Sequence, residues 1–209
     1  MGTLEFYLLF AGSYLLGSLP VGYWLVRLAK GVDVRQYGSG NIGTVNVSRV
    51  AGRKVAGMVL LLDIAKGTLP VLLAKSLAEL PGDPTEYWRV AAIGLAPVIG
   101  HNWSLFLQGR GGKGVATTAG ALLALAPVPT LLVGLIWVLT VLVSRYSSLA
   151  SILAALSAPV FYAIFRQPTA YIGFAIVAAI LVVWRHQSNI RRLLAGTELR
   201  IDQKAEKRG

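Results

Sequence analysis

Cysteine is absent from all 209 residues, which excludes disulfides, thiolate metal sites, iron–sulfur clusters and a thioester acyl-enzyme. Histidine is nearly as scarce: His101 and His186 are the only two, too few for a histidine-rich metal centre. Acidic residues number nine against twenty Lys and Arg. Asp33 stands alone among the inner loops before the tail, so the clustered carboxylates of a magnesium site are missing there, and no metal or other cofactor is expected. Charged residues of both signs make up only 14% of the chain. What replaces them is apolar: 55% hydrophobic residues and a mean hydropathy of +0.63, the composition of a polytopic membrane protein. A net charge of +11 and a pI near 10.3 would, in a soluble chain, suggest a nucleic-acid partner. Here most cations sit in short segments between apolar runs, where membrane orientation accounts for them, so no nucleic acid is expected.

Crossing a hydrocarbon core of about 30 Å takes about 20 helical residues. Residues 4–26 and 55–78 are full-length apolar runs, and 90–99 is a shorter one. The run 115–143 is interrupted by Pro127 and Pro129, which predicts a tight turn between two shorter helices after Ala126. Residues 148–165 and 169–184 complete the set. The fold class is therefore all-α, a single domain over 1–209 built as a bundle of about seven transmembrane helices. The first span lacks Lys or Arg before it and carries Arg27 and Lys30 after it, the pattern of an uncleaved anchor with its N-terminus outside. Alternating from there leaves the C-terminus cytoplasmic and puts sixteen of the twenty cations in inner segments and three in outer loops, a strong positive-inside bias. Lys66 is the remaining cation; it lies three residues from Asp63 on one helical face, and the two are expected to pair with each other or with an inner loop. The charged tail 196–209 reads as a solvated end.

The inner segments hold more than topological charge. The stretch 38–49, GSGNIGTVNVSR, satisfies G-x-G-x-x-G, but no strand precedes it and Asp63, where a ribose ligand would fall, belongs to a span. The physics survives the failed motif: glycines admit close backbone approach to an anion, Ser39, Asn41, Thr44 and Asn46 add donors, and Arg49 offers a planar fork for phosphate. The stretch 100–118 is not a P-loop, since Leu107 replaces the first glycine and Gly114 follows Lys113. Its four glycines around Arg110 and Lys113, just before a helix containing Thr117 and Thr118, still form an anion nest. In the third segment, 185–198, His186, Asn189, Ile190 and Leu193 share one face if the helix continues, while Arg185 and Arg191 read as a cytoplasmic anchor.

Taken together, GSGNIGTVN with Arg49, the Gly100–His101 pair with GRGGKGVAT from 109, and HQSNIRRLLAGTE from 186 resemble the three motifs of the PlsY family, the bacterial acyl-phosphate:glycerol-3-phosphate acyltransferases. That resemblance implies transfer of a fatty acyl group from acyl phosphate to the 1-hydroxyl of glycerol 3-phosphate, giving lysophosphatidate and phosphate at the cytoplasmic face of the bacterial inner membrane. The partners it implies are glycerol 3-phosphate, acyl phosphate and membrane lipid. It assigns His186, Lys113 and Asn189 to catalysis. Arg49, Lys113 and Ser39 would hold the glycerol 3-phosphate, and His186 and Asn189 would orient its hydroxyls. Gly40, Asn41, Gly43 and Thr44, with backbone N–H groups of Gly111, Gly112 and Gly114, would cradle the acyl phosphate. Asn46, His101, Thr117 and Arg192 complete the candidate substrate contacts. The residues agree with this in two ways: no cysteine is present for a thioester, and His-x4-Asp is absent, Phe106 and Arg191 standing five residues after His101 and His186.

Electrostatics explains the number of cations. Two phosphates of charge about −2 and −1.5, about 6 Å apart, repel by roughly 8 kcal/mol at an effective dielectric of about 20. Two other readings use the same features: a carrier for organic phosphates, which the buried Asp63 and Lys66 and the broken spans would suit, and a scaffold gripping anionic headgroups. Carriers usually show paired internal repeats, and the two halves of this chain differ in motif and span length.

Overall fold

The computed structural model describes residues 1–80 and 82–207, and among these the fold is all-helical. Helices α1 (Thr3–Ser18) and α2 (Val21–Lys30) make one 28-residue apolar stretch broken at Leu19 and Pro20, because proline has no N–H to continue the ladder. The loop that follows carries a 3₁₀ turn, Val34–Gln36, and the short α3 (Thr44–Ala51). Then come α4 (Arg53–Leu77), α5 (Pro84–Asn102), a second 3₁₀ turn at Leu105–Leu107, α6 (Val115–Leu125), α7 (Pro127–Ser144), α8 (Ser147–Ile164), α9 (Thr169–Arg185) and α10 (Gln187–Leu194).

All seven expected apolar segments are helical, but they are not seven full spans. Five helical stretches are long and apolar enough to cross a membrane, and a sixth if α9 and α10, bent by 58° at their junction, count together. Helix α6 has 11 residues and at about 1.5 Å per residue is roughly 16 Å long, half of what a crossing takes. It ends at Ala126, where the prolines predicted a turn, and Lys75 donates to the carbonyls of Ala124 and Leu125 at its C-terminus (3.1 and 3.4 Å). Conversely, α5 is longer than its apolar stretch 90–99. Its first turn tolerates charge because Glu86 pairs with Arg89 (2.6 Å) and the Met1 amino group (3.5 Å).

Small residues set the crossings. A Cβ on Gly67 of α4 would strike the Thr117 carbonyl of α6, and one on Gly120 of α6 would strike the Ile64 carbonyl of α4, so two backbones touch there with no side chain between them. Large apolar side chains such as Leu61, Leu131, Leu142 and Val143 point outward, as a lipid-facing surface requires. The interior gathers around Ile93, Tyr162 and Phe174. Tyr162 satisfies its hydroxyl on Leu122 O (2.7 Å) and Thr130 Oγ1 (2.9 Å).

The tail departs from the expectation of a solvated end. Ile201 N donates to Arg145 O (2.9 Å), and Tyr37 forms an isolated bridge with Lys207, so the segment folds back across the loops that carry Tyr37 and Arg145. Its backbone has partners on the bundle, which a freely solvated end lacks.

Candidate active site

The half-length α6, the α3 loop, the α9–α10 bend and the returning tail meet around one cavity of about 390 Å³. Its walls divide by chemistry. One part carries Ser39, Asn41, Arg49, Lys113, His186, Asn189 and Arg192; the other carries Leu60, Leu122, Val133, Trp137 and Ala154 from α4, α6, α7 and α8. A charged head and a long apolar tail would both find complementary surface.

Asn46 builds the first polar wall. Its amide donates to the carbonyls of Val34 (3.2 Å), Tyr37 (3.0 Å) and Asn41 (2.9 Å) and accepts from Ser39 N–H (3.0 Å), so one buried side chain holds the glycine-rich loop closed. The Asn41 side chain accepts from Gly43 N–H (2.8 Å). Arg49 reaches back from α3 and donates through Nη2 to the carbonyls of Leu199 (3.3 Å) and Arg200 (2.9 Å).

The second wall is the turn before α6. The guanidinium of Arg185 donates to the carbonyls of Gly111 and Gly112 (2.8 to 3.1 Å), which turns an expected topological anchor into a clamp on the glycine loop. Lys113 leaves the loop to donate to Asn189 Oδ1. Burial lowers its ammonium to about 8; Arg192, Arg185 and Arg49 push the same way, and Glu198 opposes them. Behind it stands the N-terminus of α6, whose dipole favours an anion.

The third wall is the α9–α10 junction. The helix does not continue straight through 186: His186 sits at the bend with φ −99°, ψ 8°, and α10 starts afresh after it. His186 Nδ1 lies 2.7 Å from Val182 O, so Nδ1 carries the proton and Nε2 is left as an acceptor. Asn189 donates to Glu198 Oε1 (2.6 Å), Ser148 donates to the same oxygen (2.8 Å), and Arg192 binds Oε2 (2.7 Å). Burial would raise the Glu198 pKa, but the hydrogen bonds from Asn189, Ser148 and Arg192 hold it below the usual carboxylate value. Three cavity-lining donors, Arg49 Nε, Thr44 Oγ1 and Thr118 Oγ1, are buried with no hydrogen-bond partner among the described residues. Buried donors of this kind are costly unless a ligand satisfies them.

Known proteins match this arrangement. The family model described as glycerol-3-phosphate acyltransferase matches residues 7–196. The chain belongs to the PlsY family of glycerol-3-phosphate acyltransferases. A glycerol-3-phosphate acyltransferase of Desulforamulus reducens is 48% identical over 193 residues, 92% of this chain and 94% of that one. One of Halalkalibacterium halodurans is 47% identical over 204 residues, 96% and 97% of the two chains. The crystal structure of PlsY, an integral membrane glycerol 3-phosphate acyltransferase, in its glycerol 3-phosphate form superposes with a TM-score of 0.88 at 40% identity, covering 94% of this chain and 95% of that one. The lysophosphatidic acid form of that enzyme gives 0.86 over the same shares. Membership makes the protein a membrane acyltransferase and displaces the carrier and scaffold readings.

Against the sequence expectations, the structure sorts the candidates. Ser39, Asn41, Gly43, Thr44, Asn46, Arg49, His101, Lys113, Gly114, His186, Asn189 and Arg192 all line the cavity. Gly40, Gly111, Gly112 and Thr117 do not. Gly40 N–H closes a turn on Tyr37 O (2.9 Å), and Gly112 N–H is spent on His101 O (2.9 Å), so neither is free to cradle an anion. Thr117 faces α4 and is fully buried, and its neighbour Thr118 takes the cavity position. Sequence reasoning missed Glu198. The Glu lay inside the quoted third motif, but an acidic residue in a tail of alternating charge gives no signal of burial.

Proposed function

We propose that the cavity binds acyl phosphate and glycerol 3-phosphate together and transfers the acyl group directly to the 1-hydroxyl. The observation that carries this is the cavity's lining by a cationic, donor-rich set of residues and by apolar residues of α4, α6, α7 and α8. Glycerol 3-phosphate is what a homologous structure binds, and the lysophosphatidic acid of a second form is the product this transfer would give.

In this reading Arg49 and Lys113 hold the glycerol 3-phosphate with Ser39. The free donors of Thr44 and Thr118, with Asn41, serve the acyl phosphate. The fatty chain lies along Leu122, Val133 and Trp137. The hydroxyl oxygen attacks the carbonyl carbon, the carbonyl–oxygen bond to phosphorus's oxygen breaks, and inorganic phosphate leaves with that electron pair. A mixed anhydride has a good leaving group, so positioning and charge neutralisation supply most of the catalysis. The hydroxyl proton goes to His186 Nε2, which the Val182 hydrogen bond leaves unprotonated, or to a phosphate oxygen of the substrate. The site faces the cytoplasm, where the positive-inside bias puts the motif loops.

Purified protein given synthetic acyl phosphate and labelled glycerol 3-phosphate will yield lysophosphatidate and phosphate in equal amounts; acyl thioester donors will yield none. Product from a thioester alone would refute the donor assignment. His186→Ala with nearly full turnover at saturating substrate would remove the histidine as base and leave the substrate phosphate.

A further inference from the structure

The transfer scheme leaves one charged cluster at the cavity unused. Asp63, Lys66 and His101 are each no more than 5% exposed. Lys66 Nζ is 2.9 Å from Asp63 Oδ1 and also donates to Leu19 O (3.2 Å), at the break between α1 and α2. His101 Nδ1 faces Asp63 Oδ1 at 3.6 Å and has no other partner among the described residues. On its far side the imidazole is pressed against the glycine loop: a Cβ on Gly112 would collide with His101 Nε2, and one on Gly111 with the His101 carbonyl. The Gly112 N–H bonds that same carbonyl (2.9 Å). Arg185 donates to the carbonyls of Gly111 and Gly112.

We propose that Lys66, Asp63 and His101 form the mount of the Lys113 loop: the carboxylate fixes the imidazole, the imidazole forms the bed on which Gly112 lies, and the bed sets how far Lys113 projects into the cavity. Asp63 and His101 are positioning residues, acting on substrate through Lys113, and Lys66 supplies the countercharge without which a buried carboxylate is untenable. Two different residues clamp the loop because it has no side chains of its own at 111 and 112 to pack. Arg185 alone would hold its carbonyls but leave its height above α5 free. The inference rests on the reading of Lys113 as a phosphate ligand.

The test is the paired replacement Asp63→Leu with Lys66→Met, which removes both charges at once and leaves no unpaired charge in the interior. The expected result is a KM for glycerol 3-phosphate raised about tenfold or more, as loss of positioning produces, with kcat within about threefold and the thermal midpoint little changed. His101→Ala, which leaves the ion pair intact, gives the same KM signature and carries the test should the paired variant not fold. Combined, the substitutions cost no more than either alone, because they break one chain of contacts. A native KM in His101→Ala, additive losses, or a fall in kcat at unchanged KM would overturn the mount. Lys113→Ala run in parallel separates the two claims: a native KM there sinks the phosphate-ligand reading itself, whereas a raised KM beside native values in His101→Ala sinks the mount alone.

Discussion

Lys113 concentrates the site's electrostatics. It is an ammonium lowered to about 8 by burial among arginines, and it must be charged to hold a phosphate. A lysine is cationic below its pKa, so kcat/KM for glycerol 3-phosphate is expected to be flat near pH 7 and to fall about tenfold per unit once pH passes about 8. The substrate's own second phosphate ionisation, near 6, is complete by then and does not shape that limb. Lys113→Arg will abolish the alkaline fall, since a guanidinium stays charged throughout. A pH–rate profile of the two proteins decides the matter; an unchanged alkaline limb in the variant would assign it to another group. His186 is the complementary case. The resemblance assigned it to catalysis but not which ring nitrogen is available, and the Val182 contact answers that by leaving Nε2 bare.

Elements decide how these residues meet. Helix α6 is short, and its N-terminal residues, with Lys113 and Gly114 just before them, line the cavity. The proline pair made that break legible. The tail was not legible: a stretch of mixed charge, 196–209, carries no periodicity, and only the fold reveals that Glu198 spans Ser148, Asn189 and Arg192. Glu198→Ala removes three hydrogen bonds, two of them to groups assigned to substrate, and is expected to lower kcat/KM roughly 10- to 100-fold at about 1.5–3 kcal/mol for a charge-assisted contact. Asp202→Ala, which breaks only the exposed pair with Arg145, is expected to stay within about 0.5 kcal/mol of the parent. Steady-state kinetics of both variants measure the difference. The other misreading has the same origin. Arg185 looked like an anchor because its position at the end of a span suits one, and its partners are carbonyls 73 and 74 residues away in sequence.

At the scale of the whole molecule, most of the architecture was written in composition. The apolar runs became helices, the prolines became breaks, and three loop motifs converged on one cavity. What composition could not give was span count, because the half-helix α6 is as apolar as a span and differs in its length, and the bend after α9 leaves no mark in composition. Orientation is testable with the chain's own lack of cysteine. In intact cells an impermeant thiol reagent will label Glu79→Cys, in an outer loop, and will reach Arg53→Cys, on the motif side, only after permeabilisation; the reverse pattern would invert the topology. The larger claim is that one pocket neutralises two anions at once so that an alcohol attacks an activated carbonyl without an enzyme-bound intermediate. Rapid mixing of the protein with acyl phosphate, with and without glycerol 3-phosphate, measures it most directly. Phosphate is predicted to appear only when glycerol 3-phosphate is present and in step with lysophosphatidate; a burst of one phosphate per enzyme in its absence would reveal a covalent acyl-enzyme and contradict the account.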